Sequence, residues 1–212
     1  MPGRKFEIKE AVSFAWKSVW GNVWFWISLV LISAIVSWLN DSISRTLYSE
    51  PAKASLDVIY FFISAFISLG ITKISLNLID KKRSEYSDFL TSAKTYFNYI
   101  FATIIYTLIV MVGVILLIAP GIIWALQYSM YPYLIIEKGY GPIEALRKSL
   151  EITRGERVHL LVLCLCFLGI IILGALALFV GLLIAVPITW IAMAFVYKKL
   201  MSKSHVKAKD SK

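Results

Sequence analysis

Uninterrupted apolar segments are the feature that most restricts what this chain can fold into. Six segments are mostly hydrophobic, at about residues 23–39, 54–79, 100–119, 121–136, 158–180 and 182–197. A helix needs about 20 mostly apolar residues to cross the hydrocarbon core of a bilayer. The chain is 59% hydrophobic and 17% charged, whereas soluble domains are about half apolar and a quarter charged. The pattern predicts an all-α, polytopic membrane bundle of six transmembrane helices, with residues 1–212 as a single domain.

The number of crossings depends on Pro120 and Gly121, which lie side by side in the longest apolar stretch. Without a turn there, residues 100–136 would form one helix about 55 Å long at 1.5 Å per residue. The hydrocarbon core is only about 30 Å thick. Proline is favoured at the start of a helix, and glycine tolerates turn conformations. We therefore expect a tight turn at Pro120–Gly121, and another at Gly181.

The distribution of basic residues predicts the orientation. With six spans, 19 of the 22 lysines and arginines fall on the side that holds both termini and residues 80–99 and 137–157. Arg45 and Lys53 fall on the other side, and Lys73 lies within a span. Because Lys and Arg are retained in cytoplasmic loops, both termini are predicted to be cytoplasmic. This topology accounts for the net charge of +9 without a nucleic-acid partner.

Three amphipathic segments precede pairs of spans, at about residues 7–20, 85–98 and 142–154. Apolar residues recur in each at i, i+3, i+4 and i+7, which is the helical pattern. We predict three cytoplasmic interfacial helices. A shift of 134 residues superimposes Glu10, Ala11 and Gly21 on Glu144, Ala145 and Gly155. A threefold internal repeat is one interpretation, and the shared physics of amphipathic helices is the other.

The second half of the chain resembles a family of small bacterial membrane proteins. The segments are "SEYSDFLTSAKTYFNYI" and "LLIAPGIIWALQYSMYPYLIIEKGYGPIEALRKSLEITRG", and the matching features are Pro120–Gly121, Pro132, Glu137–Gly139 and Pro142–Gly155. Over about residues 84–200 the chain is similar to the glycerophosphoryl diester phosphodiesterase membrane domain and to YciC-like proteins of unknown function. The resemblance implies a bacterial inner-membrane location and a relation to glycerophospholipid metabolism. A chain of 212 residues has no room for the soluble phosphodiesterase domain of such proteins, so we do not transfer that activity.

No catalytic arrangement is apparent in the sequence. An enzyme site needs a nucleophile, a base or a metal in a protected cleft. His159 and His205 have no partner at ligand spacing, and Cys164 and Cys166 lie within an apolar segment. We therefore expect no catalytic residue, no metal site and no cofactor.

Polar residues within spans are the first group of candidate site residues. Lys73, Asn77 and Gln127 lie in predicted transmembrane segments, where ionisable and polar groups are often functional. Snorkelling towards the headgroups is the alternative for Lys73. Hydrogen bonding between helices is the alternative for Asn77 and Gln127.

A basic cluster on the third amphipathic segment is the second group. Arg147, Lys148, Arg154 and Arg157 are suited to bind the headgroups of anionic lipids. The alternative is anchoring by the same charges that set the topology.

Three functions follow from these patterns. The leading hypothesis is a non-enzymatic inner-membrane protein that binds or organises membrane lipids, or that is an accessory to other envelope proteins. The second is a small transporter or permease with a site between broken helices near the middle of the membrane. The third is an enzyme acting on lipid headgroups, for which acidic side chains converging at the cytoplasmic face would be the sign.

Overall fold

A computed structural model describes residues 6–47, 49–80, 93–177 and 180–210. The described part of the chain is 90% helical and contains no strand, which confirms the all-α class. Its helices are α1 (Ile8–Gly21), α2 (Val23–Thr46), α3 (Glu50–Ile79), α4 (Ala93–Leu116), α5 (Ile118–Tyr128), α6 (Tyr131–Lys138), α7 (Pro142–Thr153), α8 (Arg157–Leu176) and α9 (Leu182–Asp210).

Five of these helices are long and apolar enough to cross a membrane. The segments are Val23–Thr46, Glu50–Ile79, Lys94–Leu116, Arg157–Leu176 and Leu182–Lys203. They correspond to five of the six predicted spans and identify a multi-pass membrane protein. Helix α2 continues beyond the predicted residue 39 because polar residues extend it, with Arg45 paired to Asp41 at 2.6 Å one turn away.

The predicted span 121–136 is not one helix. It is divided between α5 and α6, which meet at Ser129 and Met130. The turn before it lies at Leu117, which has an extended backbone, rather than at Pro120–Gly121. Pro120 instead occupies the first turn of α5, where the missing amide hydrogen of proline leaves no helical bond unmade. The prediction of a turn was correct, and its position was wrong by three residues.

Helices α5 and α6 return along α4. A Cβ atom added to Gly113 would lie 2.8 Å from the Gly121 Cα, so the two backbones are in contact at the start of the return. Further along, the Tyr106 hydroxyl donates to the Ala125 carbonyl at 3.3 Å. The Thr103 and Tyr131 hydroxyls are 2.8 Å apart. These contacts make an antiparallel hairpin of α4 with α5 and α6.

Helices α8 and α9 form another hairpin around the turn predicted at Gly181. A Cβ atom on Gly181 would lie 2.7 Å from the Gly174 Cα. Small residues allow this close approach of two helix backbones. The predicted end of this sixth span, residue 197, is not a helix end, since α9 continues to Asp210.

Helix α9 is the centre of the bundle. Half of its apolar window is buried, compared with 17–22% in the other four candidate spans. Ile191, Ala192, Ala194 and Val196 are fully buried although they face different directions around the helix. Helices α1, α2, α3, α7 and α8 all pack against it.

Two of the three predicted interfacial segments are separate helices in the structure, α1 and α7. For the predicted segment 85–98, residues 85–92 lie outside the described residues, and residues 93–98 belong to α4. The suggested repeat has unequal junctions. Gly155 adopts a φ of 87° between α7 and α8, whereas Gly21 is the last helical residue of α1 and the break falls at Asn22.

We predict that Gly113→Ala destabilises the α4–α5 hairpin, because the added Cβ would meet the backbone of Gly121 at 2.8 Å. Overpacking of this kind costs about 1–3 kcal/mol. Thermal unfolding in detergent measures the change. The control is Gly169→Ala on α8, whose Cβ would meet no atom within 4 Å. Equal stability of the two variants would contradict the close contact.

Candidate functional site

The break between α5 and α6 is the most polar buried place in the described bundle. Gln127 is 3% exposed, and Ser149 and Thr153 of α7 are fully buried. They surround the Ser129–Met130 junction, where α5 has ended and α6 has not yet begun. In hydrocarbon, backbone groups at such a break must find partners within the protein.

Helix α7 supplies those partners. The Ser149 hydroxyl donates to the Gln127 carbonyl at 2.8 Å and accepts from the Met130 amide at 3.1 Å. The Thr153 hydroxyl lies 3.0 Å from the same Gln127 carbonyl. Ser149 and Thr153 are four residues apart, so they lie on one face of α7. The α7 helix is therefore attached to the bundle by bonds to the broken helix.

The Gln127 side chain joins this junction to the basic cluster. With its amide oxygen towards α8, it accepts hydrogen bonds from the Arg157 guanidinium, at 2.6 Å from Nη2 and also from Nε. The amide orientation is the one that satisfies both partners. Two residues predicted separately, one for the membrane interior and one for lipid headgroups, are thus brought together.

The other members of the basic cluster lie outside this junction. Lys148 pairs with Glu151 at 2.6 Å, and Arg147 and Arg154 are exposed. The opposite face of α7 is buried in the bundle and contains the apolar residues Ala145, Leu146 and Ile152. The helix therefore directs its charge outward and its apolar residues into the bundle.

Lys73 and Asn77 lie on α3, a different helix from α5 and α7, which carry Gln127, Ser149 and Thr153. Both are half-buried on α3, which packs mainly against α2, α4, α6 and α9, whereas α5 packs against α4, α7 and α8. The three predicted intramembrane polar residues are therefore not grouped as one site.

A second polar cluster, which the sequence analysis did not identify, connects α9 to the ends of α3 and α6. Lys198 Nζ of α9 lies 2.7 Å from Asp80 Oδ1 after α3 and 3.2 Å from Glu137 Oε2 of α6. Glu137 Oε1 also lies 3.2 Å from Lys138 Nζ. Two acidic side chains do converge, but a lysine bridges them. Their separation in sequence is too large for any spacing rule to reveal the contact, since Lys198 and Asp80 are 118 residues apart.

The chemistry available at these places is hydrogen bonding and charge pairing. Among the described residues there is no group of three or more His, Cys, Asp or Glu side chains that would hold a metal ion. The exposed guanidinium and ammonium groups around α7 are suited to bind anionic oxygen atoms.

We predict that Ser149→Ala destabilises the protein by about 1–3 kcal/mol, because it leaves the buried Met130 amide without its acceptor. Thermal unfolding in detergent tests this. The matched control is Ser55→Ala, which removes an exposed hydroxyl bonded only to the Pro51 carbonyl of its own helix. A similar small effect for both variants would mean that α7 does not depend on this bond.

Comparison with known proteins places the chain among relatives of unassigned activity. A family model matches residues 89–204, which include the α5–α6 break, α7 and the final hairpin. No curated protein matches the chain, and no solved structure does. Nothing in these comparisons links it specifically to the glycerophosphoryl diester phosphodiesterase membrane domain. The matched region covers more than half of the chain, which therefore belongs to the family described as "Protein of unknown function (DUF975)".

Proposed function

We propose that this protein is a non-enzymatic component of the bacterial inner membrane that binds anionic lipid headgroups through α7, as an organiser of lipid or an accessory to other envelope proteins. The observation that carries the proposal is the surface formed by Arg147, Lys148, Arg154 and Arg157, fixed to the bundle at Ser149 and Thr153. A basic helix in the headgroup plane attracts anionic lipid. Fixing it to a buried junction reduces the entropy lost on binding.

A six-crossing topology with both termini in the cytoplasm places this surface at the headgroups. In this proposal α5 and α6 together make the fourth crossing, since their 21 residues, Ile118–Lys138, would extend over about 32 Å. The ion pairs of Lys198 with Asp80 and Glu137 support it, because they bring the ends of α3 and α6 to the same side, next to the part of α9 that holds Lys198. The Lys199–Glu10 pair, at 2.8 Å, adds α1 to the same side.

Interfacial positions for α1 and α7 agree with their exposed side chains. Trp16 and Trp20 of α1 are 51% and 53% exposed, and Trp24 at the start of α2 is 79% exposed. Tryptophan is enriched at the level of the headgroups. The exposed faces of both helices would thus meet lipid, while their buried faces hold them on the bundle.

A threefold repeat remains part of the proposal, supported by cyclic packing. Each unit of the repeat is one interfacial helix followed by two spans. The short helix of the first unit, α1, packs on α9, the second span of the third unit. The short helix of the third unit, α7, packs on α5 and α6 of the second. In the second unit, the Tyr96 hydroxyl of α4 donates to the Phe62 carbonyl of α3, in the first unit, at 2.7 Å. Each unit thus contacts the second span of the unit before it.

A non-enzymatic role is supported by the way the converging acids are used. Asp80 and Glu137 each face Lys198, an arrangement that ties helix ends together. A catalytic carboxylate would need access to a substrate and an environment that tunes its protonation.

We predict that Arg147→Gln with Arg154→Gln weakens retention of phosphatidylglycerol. Each basic residue near an anionic surface contributes about 1 kcal/mol, so the double variant should retain at least about fivefold less lipid. Native mass spectrometry of protein purified from equal phosphatidylglycerol and phosphatidylethanolamine measures this. Arg45→Gln with Lys53→Gln is the control, with the same charge change at the other end of the bundle. Equal loss of phosphatidylglycerol in both double variants would mean that the protein holds this lipid only by nonspecific charge attraction.

A transporter is the second candidate, and one cavity favours it. A cleft of about 220 Å³ between α2, α3 and α9 is lined in part by Ser33, Tyr60, Ser64, Thr72 and Trp190. Hydroxyl groups facing a space within the membrane are typical of solute pathways. The α5–α6 break is a poor place for a solute pathway, because Gln127 is buried and its backbone carbonyl already accepts a hydrogen bond from Ser149.

We predict that this cleft does not conduct water-soluble reagents. In a chain lacking Cys164 and Cys166, a small permeant methanethiosulfonate should label Ser64→Cys no faster than Ile63→Cys, whose side chain is exposed on the outer face of the bundle. Thiol labelling in intact vesicles, measured by mass, makes the comparison. Selective labelling at Ser64→Cys would favour the transporter over the lipid-binding function.

A further inference from the structure

A second pocket lies where the start of α1 meets the start of α8. It has a volume of about 380 Å³ and is lined by Phe6, Glu7, Ile8, Lys9, Val158, His159 and Val162. None of these residues belongs to the basic surface of α7. The pocket combines two ionised side chains of opposite sign and an imidazole with four apolar side chains.

The pocket combines exposed charged groups of α1 with an apolar wall on α8. Val162 lies five residues into α8 after Arg157, about 7.5 Å below the start of that helix. Val158 and Val162 are 71% and 42% exposed, so this apolar wall is open to an apolar chain. Glu7 and Lys9 lie at the start of α1 and are exposed. A ligand with a polar head and an apolar chain fits this combination.

The His159 ring lies between Glu156 and Phe6. Its Nδ1 lies 3.3 Å from Glu156 Oε2, and the Glu156 side chain is only 9% exposed. The Phe6 ring, which is 3% exposed, packs against the imidazole edge to face at 6.2 Å between centroids. Because Nδ1 faces Glu156, Nε2 is the ring nitrogen that a ligand in the pocket would meet. A preorganised wall lowers the entropic cost of binding.

The charge balance of the lining selects the headgroup. Glu7 and Lys9 contribute one negative and one positive charge to the lining, so these two charges cancel. An anionic headgroup would meet the Glu7 carboxylate, and a like charge disfavours it. A headgroup with a phosphate and an ammonium finds an opposite charge for each group, since Lys9 faces the phosphate and Glu7 faces the ammonium.

We propose that this pocket binds a zwitterionic aminophospholipid, with the phosphate near Lys9 and His159, the ammonium near Glu7 and one acyl chain along Val158 and Val162. The inference rests on the proposed lipid-binding function and adds a second site with a different headgroup preference. The basic surface of α7 would hold anionic lipid, and the α1–α8 pocket would hold phosphatidylethanolamine.

The test measures the two lipids separately. Full-length protein is purified from equal phosphatidylethanolamine and phosphatidylglycerol, and native mass spectrometry counts each retained lipid. Glu7→Gln and Lys9→Gln should each retain about fivefold less phosphatidylethanolamine, with phosphatidylglycerol unchanged. Lys17→Gln, an exposed lysine of the same helix outside the pocket lining, is the control and should retain both lipids as the unaltered chain does.

A variant that leaves all charges in place provides an independent check. Val158→Trp would fill the apolar wall, and the exposure of Val158 makes the change compatible with folding. It should lower phosphatidylethanolamine retention and the thermal stabilisation that this lipid gives, while unfolding without lipid stays unchanged. Unchanged phosphatidylethanolamine retention in Glu7→Gln, Lys9→Gln and Val158→Trp would overturn the pocket proposal. If the pocket variants keep their phosphatidylethanolamine while the Arg147→Gln and Arg154→Gln double variant loses phosphatidylglycerol, the proposed function stands and the pocket does not.

Discussion

Two backbone groups at the Ser129–Met130 break, the Gln127 carbonyl and the Met130 amide, obtain their hydrogen bonds from Ser149 and Thr153 of another helix. Hydrocarbon offers no partner, so a break within a membrane bundle is stable only when the protein satisfies it. This requirement fixes α7 against α5 and α6. It also positions the start of α8, because Arg157 reaches the Gln127 side chain. The orientation of the basic surface follows from these buried bonds.

The second constraint is the central position of α9. Its residues are buried on successive faces, and the short helix α1 lies against it through Ala11, Ala15 and Val19. Alanine at these positions allows close packing of the helices. Further along α9, Lys198 pairs with Asp80 after α3 and with Glu137 of α6, and Lys199 pairs with Glu10 of α1. One helix therefore organises both the apolar interior and the polar end of the bundle.

In our proposal these features serve one function, which is the binding of membrane lipids. In this proposal the basic surface of α7 and the exposed Trp16, Trp20 and Trp24 meet the headgroups, and the exposed apolar side chains of the long helices meet the acyl chains. The α7 surface has a surplus of positive charge, whereas the α1–α8 pocket is balanced. Two neighbouring sites with different headgroup preferences would allow one small protein to hold a mixed lipid environment around itself or around a partner.

The sequence by itself determined the helical class, five of the six predicted apolar spans as helices long enough to cross a membrane, the hairpin turns near Pro120 and Gly181, and the helices α1 and α7. Hydrocarbon imposes length and apolarity on each crossing separately, so these features can be predicted from local patterns. Only the tertiary structure decided that the segment after Leu117 is broken at Ser129–Met130, that Gln127 meets Arg157, and that Lys198 meets Asp80 and Glu137. These outcomes depend on hydrogen bonds and ion pairs between residues 19 to 118 positions apart in the chain. A local pattern shows that Ser149 and Thr153 share a face with apolar residues, but a buried hydroxyl acquires a role only when the neighbouring backbone needs its hydrogen bond.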